Sequence, residues 1–294
     1  MSDKKQGGKL YLVATPIGNL EDITLRALSC LKEADIIACE DTRHSRILLD
    51  HYEIKARTTS YHEFNKYDKA DELVSKMMQG ENVALITDAG TPGISDPGEE
   101  LVKKCIEAGI PVTSLPGPSA VITALSMCGL SSRRFVFEGF LPADKKERKQ
   151  ALERLVGETR TMVIYEAPHR LKRTLAELEK CLGDRKICIC RELTKKFEEI
   201  QRISIREAVS FYEENEPRGE MVIIIEGMST EDKKAFESEQ WNDISMTEHL
   251  SRYLKQGLSE KEAMKAVAKD RGMSKRDVYE QLKIRNDEPG ETTE

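Results

Sequence analysis

The 294-residue chain has no apolar run that approaches the ~20 residues needed to cross a bilayer; its longest are stretches such as Met221 to Ile225. A membrane-spanning role is excluded on that count. Met1 to Gly8 is charged and Gly-rich with no apolar stretch behind it, so it reads as a mobile arm over 1–8, not as a secretory signal. None of the seven cysteines forms a C-x-x-C pair or stands at zinc-ligand spacing from a histidine, and the five histidines show neither H-x-H nor H-x-x-x-H spacing. No metal site is expected, and a reducing cytoplasm suits so many free thiols. Cys188 and Cys190, two apart in a β-rich run, fall on one face of a strand and are expected in the core. G-x-G-x-x-G and G-x-x-x-x-G-K-[ST] are also missing, which argues against dinucleotides and P-loop chemistry.

The segments that are present alternate strongly. Leu10 to Ala14, Asp35 to Cys39, Arg57 to Tyr61, Val83 to Thr87 and Val112 to Leu115 read as strands, with helices over Ile23 to Glu33, Asp68 to Gln79, Glu99 to Ala108 and Ser119 to Met127. Repeated β-α-β order predicts a mainly parallel sheet covered by helices, with ligands at the carboxyl ends of its strands. After Phe135 to Phe140, a charged run beginning at Asp144 enters a helix, and the pattern resumes with strands at Arg160 to Tyr165, Lys186 to Arg191, Glu199 to Ile205 and Glu220 to Glu226. Less helix between them predicts a mixed, partly antiparallel sheet. The domains are thus expected at 9–132 and 133–228. A polar linker at 229–244, a helix-turn-helix-like piece at 245–285 and a disordered acidic tail at 286–294 complete the division. Net charge is −6, yet Ser245 to Arg285 carries ten Lys or Arg against six acidic residues, a sign reversal that suits a polyanion. A solvated helical appendage is the other reading.

Three Gly/Pro-rich loops follow three strands of the first sheet. Asp88 to Gly98 holds three Gly and two Pro, which allow close backbone approach and freeze the loop shape. Asp96 and Pro97 there read as the N-cap and first position of the next helix. Ala14 to Asp22 and Leu115 to Ala120 are the other two, and Ser119 is placed to cap a helix. Their convergence on one cleft predicts a site for a phosphate-free ligand with a cationic centre and a carboxylate, beside the acidic Asp88.

Taken in order, Thr15-Pro-Ile-Gly-Asn-Leu20, Glu40-Asp-Thr-Arg43, the Asp88 to Gly98 loop, Pro116-Gly-Pro-Ser-Ala120, Phe137-Glu-Gly-Phe-Leu-Pro142, Tyr165-Glu-Ala-Pro-His-Arg170, Arg191-Glu-Leu-Thr-Lys195 and Arg218-Gly-Glu220 resemble the tetrapyrrole methylase superfamily. Within it they resemble the branch that methylates the 2′-hydroxyl of a decoding-centre cytidine in 16S ribosomal RNA. The resemblance implies a two-domain class III methyltransferase fold, α/β throughout, with a small all-α helix-turn-helix-like extension at the C-terminus. It also implies a homodimer, S-adenosylmethionine as cofactor and the small ribosomal subunit as partner. Asp88, Ala89, Gly90 and Ile94, with Ser119 and Ala120, match positions around the cofactor's methionine part. Tyr165, Leu193, Gly219, Glu220 and Met221 match those that hold adenosine, and core packing is the other reading of Tyr165 and Met221. Pro16, Gly18 and Asn19 would shape the substrate side.

A ribose hydroxyl is a poor nucleophile at neutral pH, so a nearby carboxylate or imidazole is needed to remove its proton. Glu40, Asp41 and His62 (with Glu63 beside it) are the candidate bases, and Arg43 is a candidate phosphate or ribose contact. The competing reading has Asp41 capping a helix and pairing with Arg43, with His62 an ordinary loop residue. Candidate RNA patches are Arg133-Arg134, Lys145, Lys146, Arg148 and Lys149, and the helices with Lys275 and Arg276, while His169-Arg170 either starts the next helix or meets RNA. Two other functions fit parts of the pattern. A methyltransferase for a corrin precursor or diphthine shares the cofactor loop, and a non-catalytic RNA-binding assembly protein explains the helical end.

Overall fold

A computed structural model of the chain describes residues 7–239, 241 and 243–286. The expected acidic tail beyond Asn286 and residues 1–6 of the expected arm lie outside these. Gly8, assigned to that arm, is instead buried and donates its N–H to the Met77 carbonyl at 2.7 Å.

Five short strands alternate with helices in the first part: β1 (Leu10–Val13), α1 (Leu25–Glu33), β2 (Ile36–Cys39), α2 (Thr42–His51), β3 (Arg57–Ser60), α3 (Lys66–Met78), β4 (Val83–Ile86), α4 (Gly98–Glu107), β5 (Val112–Leu115) and α5 (Ala120–Met127). All pairings are parallel, in the order β3-β2-β4-β1-β5. Alternate strand residues feed two apolar layers, as period-two geometry requires. Ile36, Ala38, Val83 and Leu85 meet Leu73, Met77 and Leu101 on one face, while Ile37, Cys39, Ala84 and Ile86 meet Leu31, Leu48 and Leu49 on the other. The loops after all five strands therefore emerge along one edge.

β6 (Phe135–Phe140), α6 (Lys145–Leu155), β7 (Thr161–Glu166), α7 (Pro168–Leu182), β8 (Lys186–Arg191), β9 (Glu199–Ser204), α8 (Ile205–Glu214) and β10 (Met221–Ile225) build the second sheet. Its order is β6-β7-β10-β8-β9, parallel only between β6 and β7. The mixed sheet expected from the shorter helical intervals is present. Cys188 and Cys190 are buried with their sulfurs 3.7 Å apart in a core that also holds Val121, Leu193 and Val222.

Both sheets belong to one compact unit, residues 7–152 and 161–226. Residues 153–160 and 227–286 form a second. A ten-residue helix, α9 (Thr230–Glu239), occupies the stretch expected as linker at 229–244. The stretch shows no strong apolar periodicity, but Ser229 Oγ accepts from the Asp232 N–H at 3.0 Å and so starts the helix. The three further helices fall where their caps and glycines place them: α10 (Met246–Lys255), α11 (Glu260–Asp270) and α12 (Lys275–Asn286). They share a small core of Met246, Val267, Ala268 and Val278.

Arg148 requires a correction. Expected in an RNA patch, it is 2% exposed and sits on the inner face of α6, where its guanidinium meets Glu177 at 2.5 Å, Thr174 at 2.6 Å and the fully buried Glu166 at 3.9 Å. Glu166 is shared with Arg170, 3.3 Å away, which also donates to the Leu141 carbonyl. Removing one partner of a buried ion network strands the other charge. Arg148→Met should therefore lower unfolding free energy by about 3 kcal/mol in urea titrations, whereas Arg134→Met, at an exposed position, should stay within about 0.5 kcal/mol.

The helical unit holds a second buried polar group. His249 is fully buried, stacked on Trp241 at 3.7 Å between ring centroids. Arg271 Nε donates to its Nδ1 at 3.2 Å, which leaves Nε2–H to donate to Asp270, also at 3.2 Å. Tyr253 donates to the same carboxylate. Burial, more than the charges of Arg271 and Arg252, lowers the histidine pKa from its usual 6.5, against the opposing pull of Asp270. The folded unit thus binds fewer protons than the unfolded chain, and its stability is full above pH 6.5 and declines as the pH falls below that value. Fluorescence of Trp241, the only tryptophan, should report a midpoint of urea unfolding that falls through this window, and His249→Phe should flatten the dependence.

Candidate functional site

The loops at the strand ends are tied to each other through their backbones. Thr15 and Gly90 exchange N–H···O bonds of 2.9 and 3.0 Å, and the Thr15 hydroxyl donates to the Thr87 carbonyl at 3.0 Å. The Thr91 hydroxyl reaches the Pro118 carbonyl at 2.9 Å, and a Cβ on Gly117 would sit 2.7 Å from that of Ala14. Gly90 has φ +85°, a conformation that disfavours side chains, so glycine is what lets this loop turn back onto β1. The three Gly/Pro loops do converge at the β1/β4 crevice.

Asp96 shapes this edge differently from its expected role. Pro97, not Asp96, occupies the N-cap of α4. The Asp96 carboxylate instead accepts from the backbone of Gly93 at 2.9 Å, Ile94 at 3.3 Å and Gly98 at 2.7 Å. It closes the loop on itself. Ser119 takes the N-cap position of α5 with no side-chain cap bond, so its hydroxyl is not committed to that helix.

The second sheet meets these loops. Ile17 and Ala120 pack on the apolar cluster that contains Leu193 and Tyr165, and Tyr165 also lies against Phe137 and Phe140, with centroids 5.0 and 5.4 Å away. Burial raises the Tyr165 hydroxyl pKa, and the neighbouring Glu220 carboxylate adds to the effect. Asn19 N–H donates to Thr194 Oγ1 at 3.1 Å, while Asn19 Oδ1 caps a short 3₁₀ turn at Leu20–Asp22. Gly18 lies so close to Leu193, Thr194 and Lys195 that a Cβ would meet Thr194 Oγ1 at 2.8 Å. Gly219, at φ +72°, faces the Glu192 side chain with no room for a methyl group. Ile94 and Glu220 are exposed, Pro16 is half-buried, and Met221 is 2% exposed at the start of β10, which makes its side chain part of the core.

Sequence reasoning missed three residues here. Ser95, Glu192 and Thr194 all adopt positive φ, at 63°, 52° and 65°. Non-glycine residues in this region carry strain of order 1–3 kcal/mol, and such strain gathers at binding sites. Nothing in the types Ser, Glu and Thr announces that backbone.

The candidate bases separate clearly. Asp41 is the N-cap of α2, accepting from the Arg43 N–H at 2.8 Å and pairing with its guanidinium at 3.1 Å. Hydrogen bonds from Arg43 hold its carboxyl below the ordinary range. Both residues are thereby engaged with each other, as the helix-capping reading expects. Glu40 has no such partner: burial raises its carboxyl pKa, the Asp88 and Asp96 charges add to the rise, and His62 opposes it. Asp88 Oδ1 accepts from the Asp41 N–H at 3.3 Å. His62 Nδ1 is buried without a hydrogen-bond partner. Asn65 fixes the His62 loop by accepting from the His62 N–H at 2.8 Å and donating to the Ser60 carbonyl at 3.3 Å.

Among the described residues, no group of three or more His, Cys, Asp or Glu stands close enough to hold a metal ion, and no helix is long and apolar enough to cross a membrane. Elsewhere, a cavity of about 460 Å³ on α11 and α12 is lined by Lys261, Lys275, Arg276, Met264 and Tyr279 with Glu260.

Comparison with known proteins agrees with this architecture. The model of the Tetrapyrrole (Corrin/Porphyrin) Methylases matches residues 9–209. The ribosomal RNA small subunit methyltransferase I of Halalkalibacterium halodurans is 48% identical over 92% of this chain and 93% of its own length. The protein of the same name from Bacillus subtilis is 45% identical over 96% of each chain. Among solved structures, uroporphyrin-III C-methyltransferase from Thermus thermophilus, crystallised with S-adenosyl homocysteine, matches at a TM-score of 0.55 and 19% identity. It covers 74% of this chain and 97% of that one, and shows the shared fold. From the family match and the near full-length relatives, the chain belongs to the tetrapyrrole methylases and, among them, to the family of the ribosomal RNA small subunit methyltransferase I proteins.

Proposed function

We propose that this chain transfers a methyl group from S-adenosylmethionine to the 2′-oxygen of a cytidine in the decoding region of 16S ribosomal RNA, working as a cytoplasmic homodimer on the small ribosomal subunit. The observation that carries the reading is near full-length similarity to relatives named for ribosomal RNA methylation, in a chain whose strand-end loops form one site.

The residues present suit the cofactor. Asp88, with one carboxylate oxygen engaged by a backbone N–H, offers the other to an ammonium group. Ala89, Gly90 and Ile94 supply backbone around it, and Ser119 has a hydroxyl to spare. Ile17, Ala120, Tyr165 and Leu193 give an adenine ring an apolar bed, bounded by Gly219 and Glu220. S-adenosylmethionine, when bound, supplies an electrophilic methyl group on a sulfonium.

The chain's own work is placement and proton removal. The ribose oxygen must be held about 3–3.5 Å from its target and in line with it, on the side shaped by Pro16, Gly18 and Asn19. Glu40 accepts the hydroxyl proton, since a carboxyl whose pKa is raised is a stronger base than an ordinary one. His62 lies beside it as its electrostatic partner, and the Asp41–Arg43 pair presents the guanidinium, whose side chain is 91% exposed, to the RNA backbone. Lys261, Lys275 and Arg276 give the helical unit a basic surface for further phosphates.

Labelled S-adenosylmethionine, incubated with small subunits from cells lacking this protein, should place label on one cytidine 2′-oxygen after nuclease digestion. Absence of label on subunits and on free ribosomal RNA, with cofactor bound, would refute the reading and favour a small-molecule substrate. In the same assay Glu40→Gln should lower kcat by a factor of about 10²–10⁴ with cofactor affinity unchanged. The wild-type acid limb should inflect above the ordinary glutamate value of 4.5, because the shift of Glu40 is upward. Calorimetry of Gly219→Ala should show cofactor binding weakened by about tenfold, since the added methyl adopts a disfavoured φ and displaces Glu192.

A further inference from the structure

Among the described large apolar side chains none is more exposed than Phe64, at 97%. It does not hang on a loose loop. The Asn65 N–H donates to the His62 carbonyl at 3.0 Å, Asn65 Oδ1 holds the His62 N–H, and its amide holds Ser60. Glu63 pairs with Lys66 across the turn at 2.5 Å. A chain in water would bury such a ring if the local backbone allowed it. Here four residues of hydrogen-bonded turn hold it outward.

Its position is specific. The turn follows β3 at the carboxyl edge of the parallel sheet, and the Phe64 ring lies 6.1 Å from that of His62, inclined at 65°. His62 carries the buried, unpartnered Nδ1 and stands close enough to Glu40 to act on its carboxyl. At 97% exposure the ring of Phe64 is open to solvent despite this contact.

We propose that Phe64 is the stacking platform for the unpaired base of the nucleotide being methylated, holding it so that its ribose reaches Glu40 and His62. The proposal rests on the RNA-methylation reading above and adds a positioning residue to it. Chemistry on a nucleotide inside a folded RNA requires that nucleotide to leave its stack, and the lost stacking must be replaced by a surface of the protein. An aromatic ring does so without reading base identity. A contact between two copies of this chain would need a broad apolar patch; the immediate neighbours Glu63, Asn65 and Lys66 are charged or polar, and Tyr67, 59% exposed, follows them, so the test below includes the oligomeric state.

Three proteins test this: wild type, Phe64→Ala and Phe64→Trp. With small subunits as substrate, Phe64→Ala should lower kcat/KM between about fivefold and a hundredfold, with cofactor affinity unchanged and activity restored by Phe64→Trp. A second readout uses a single-stranded RNA of the target region in which the cytosine is replaced by fluorescent pyrrolocytosine. Its emission should be quenched by wild type and Phe64→Trp and not by Phe64→Ala. Equal kcat/KM for wild type and Phe64→Ala would overturn the role of Phe64 while leaving RNA methylation standing. So would a shift of Phe64→Ala toward monomer in sedimentation, which would make the ring a contact between copies. If wild type methylates neither subunits nor ribosomal RNA, that reading falls and the platform for a methylated nucleotide falls with it, whatever the quenching shows.

Discussion

The reciprocal backbone hydrogen bonds between Thr15 and Gly90 are the constraint on which the site depends. Parallel strands deliver five loops to one edge, but nothing in parallel pairing makes those loops meet. The Thr15–Gly90 bridge joins the loop after β1 to the loop after β4, and Thr91 extends the link to the loop after β5 through Pro118. Backbone groups bonded in this way need no water and no side chain. The side chains of Asp88, Ile94 and Ser119 take no part in these bonds. Asp96 completes the arrangement by consuming three N–H groups of its own loop, which fixes the turn that carries Ser95.

Polar groups do different work in the three regions of the chain. At the strand ends, Glu40 lies among Asp88, Asp96 and His62, and its charge is held in an environment that discourages it. Within the second sheet's helices, Arg148, Glu166, Thr174 and Glu177 form a buried network that fixes α6 against α7. In the helical unit the charges are mostly outward, with one buried exception in the His249–Asp270–Arg271 set. The same residue types are therefore held in an unfavourable setting, locked in a buried network or left in solvent, according to how much water each retains.

Much of this was legible in the sequence because Gly, Pro and apolar periodicity act locally. The strands of both sheets begin and end within a residue or two of their expected positions, and the three Gly/Pro loops meet as their spacing implies. What was not legible depends on distant partners. Arg148 looks like any member of the basic run from Lys145 to Lys149, and only the α7 residues that cover it reveal that it is buried. Asp41 and Glu40 are adjacent carboxylates, and only the fold shows that Asp41 caps α2 and pairs with Arg43 while Glu40 does not. The helix at Thr230–Glu239 arises from capping and not from an apolar stripe. Phe64 was passed over because its neighbours His62 and Glu63 are the residues with evident chemistry, and exposure cannot be read from a single letter.

Thr194 and Glu192 bracket Leu193, each with a backbone that an L-residue with a side chain adopts reluctantly. The segment is kept in place by the Glu198 carboxylate on the Thr194 N–H and by Lys195 on Glu192. Relief of that strain, by asparagine or glycine at either position, is a ready route to a more heat-resistant protein. The same relief would slacken the backbone that holds Leu193 in its apolar cluster. Stability and the fixed placement of Leu193 are therefore set by the same two backbone positions and pull on them in opposite directions.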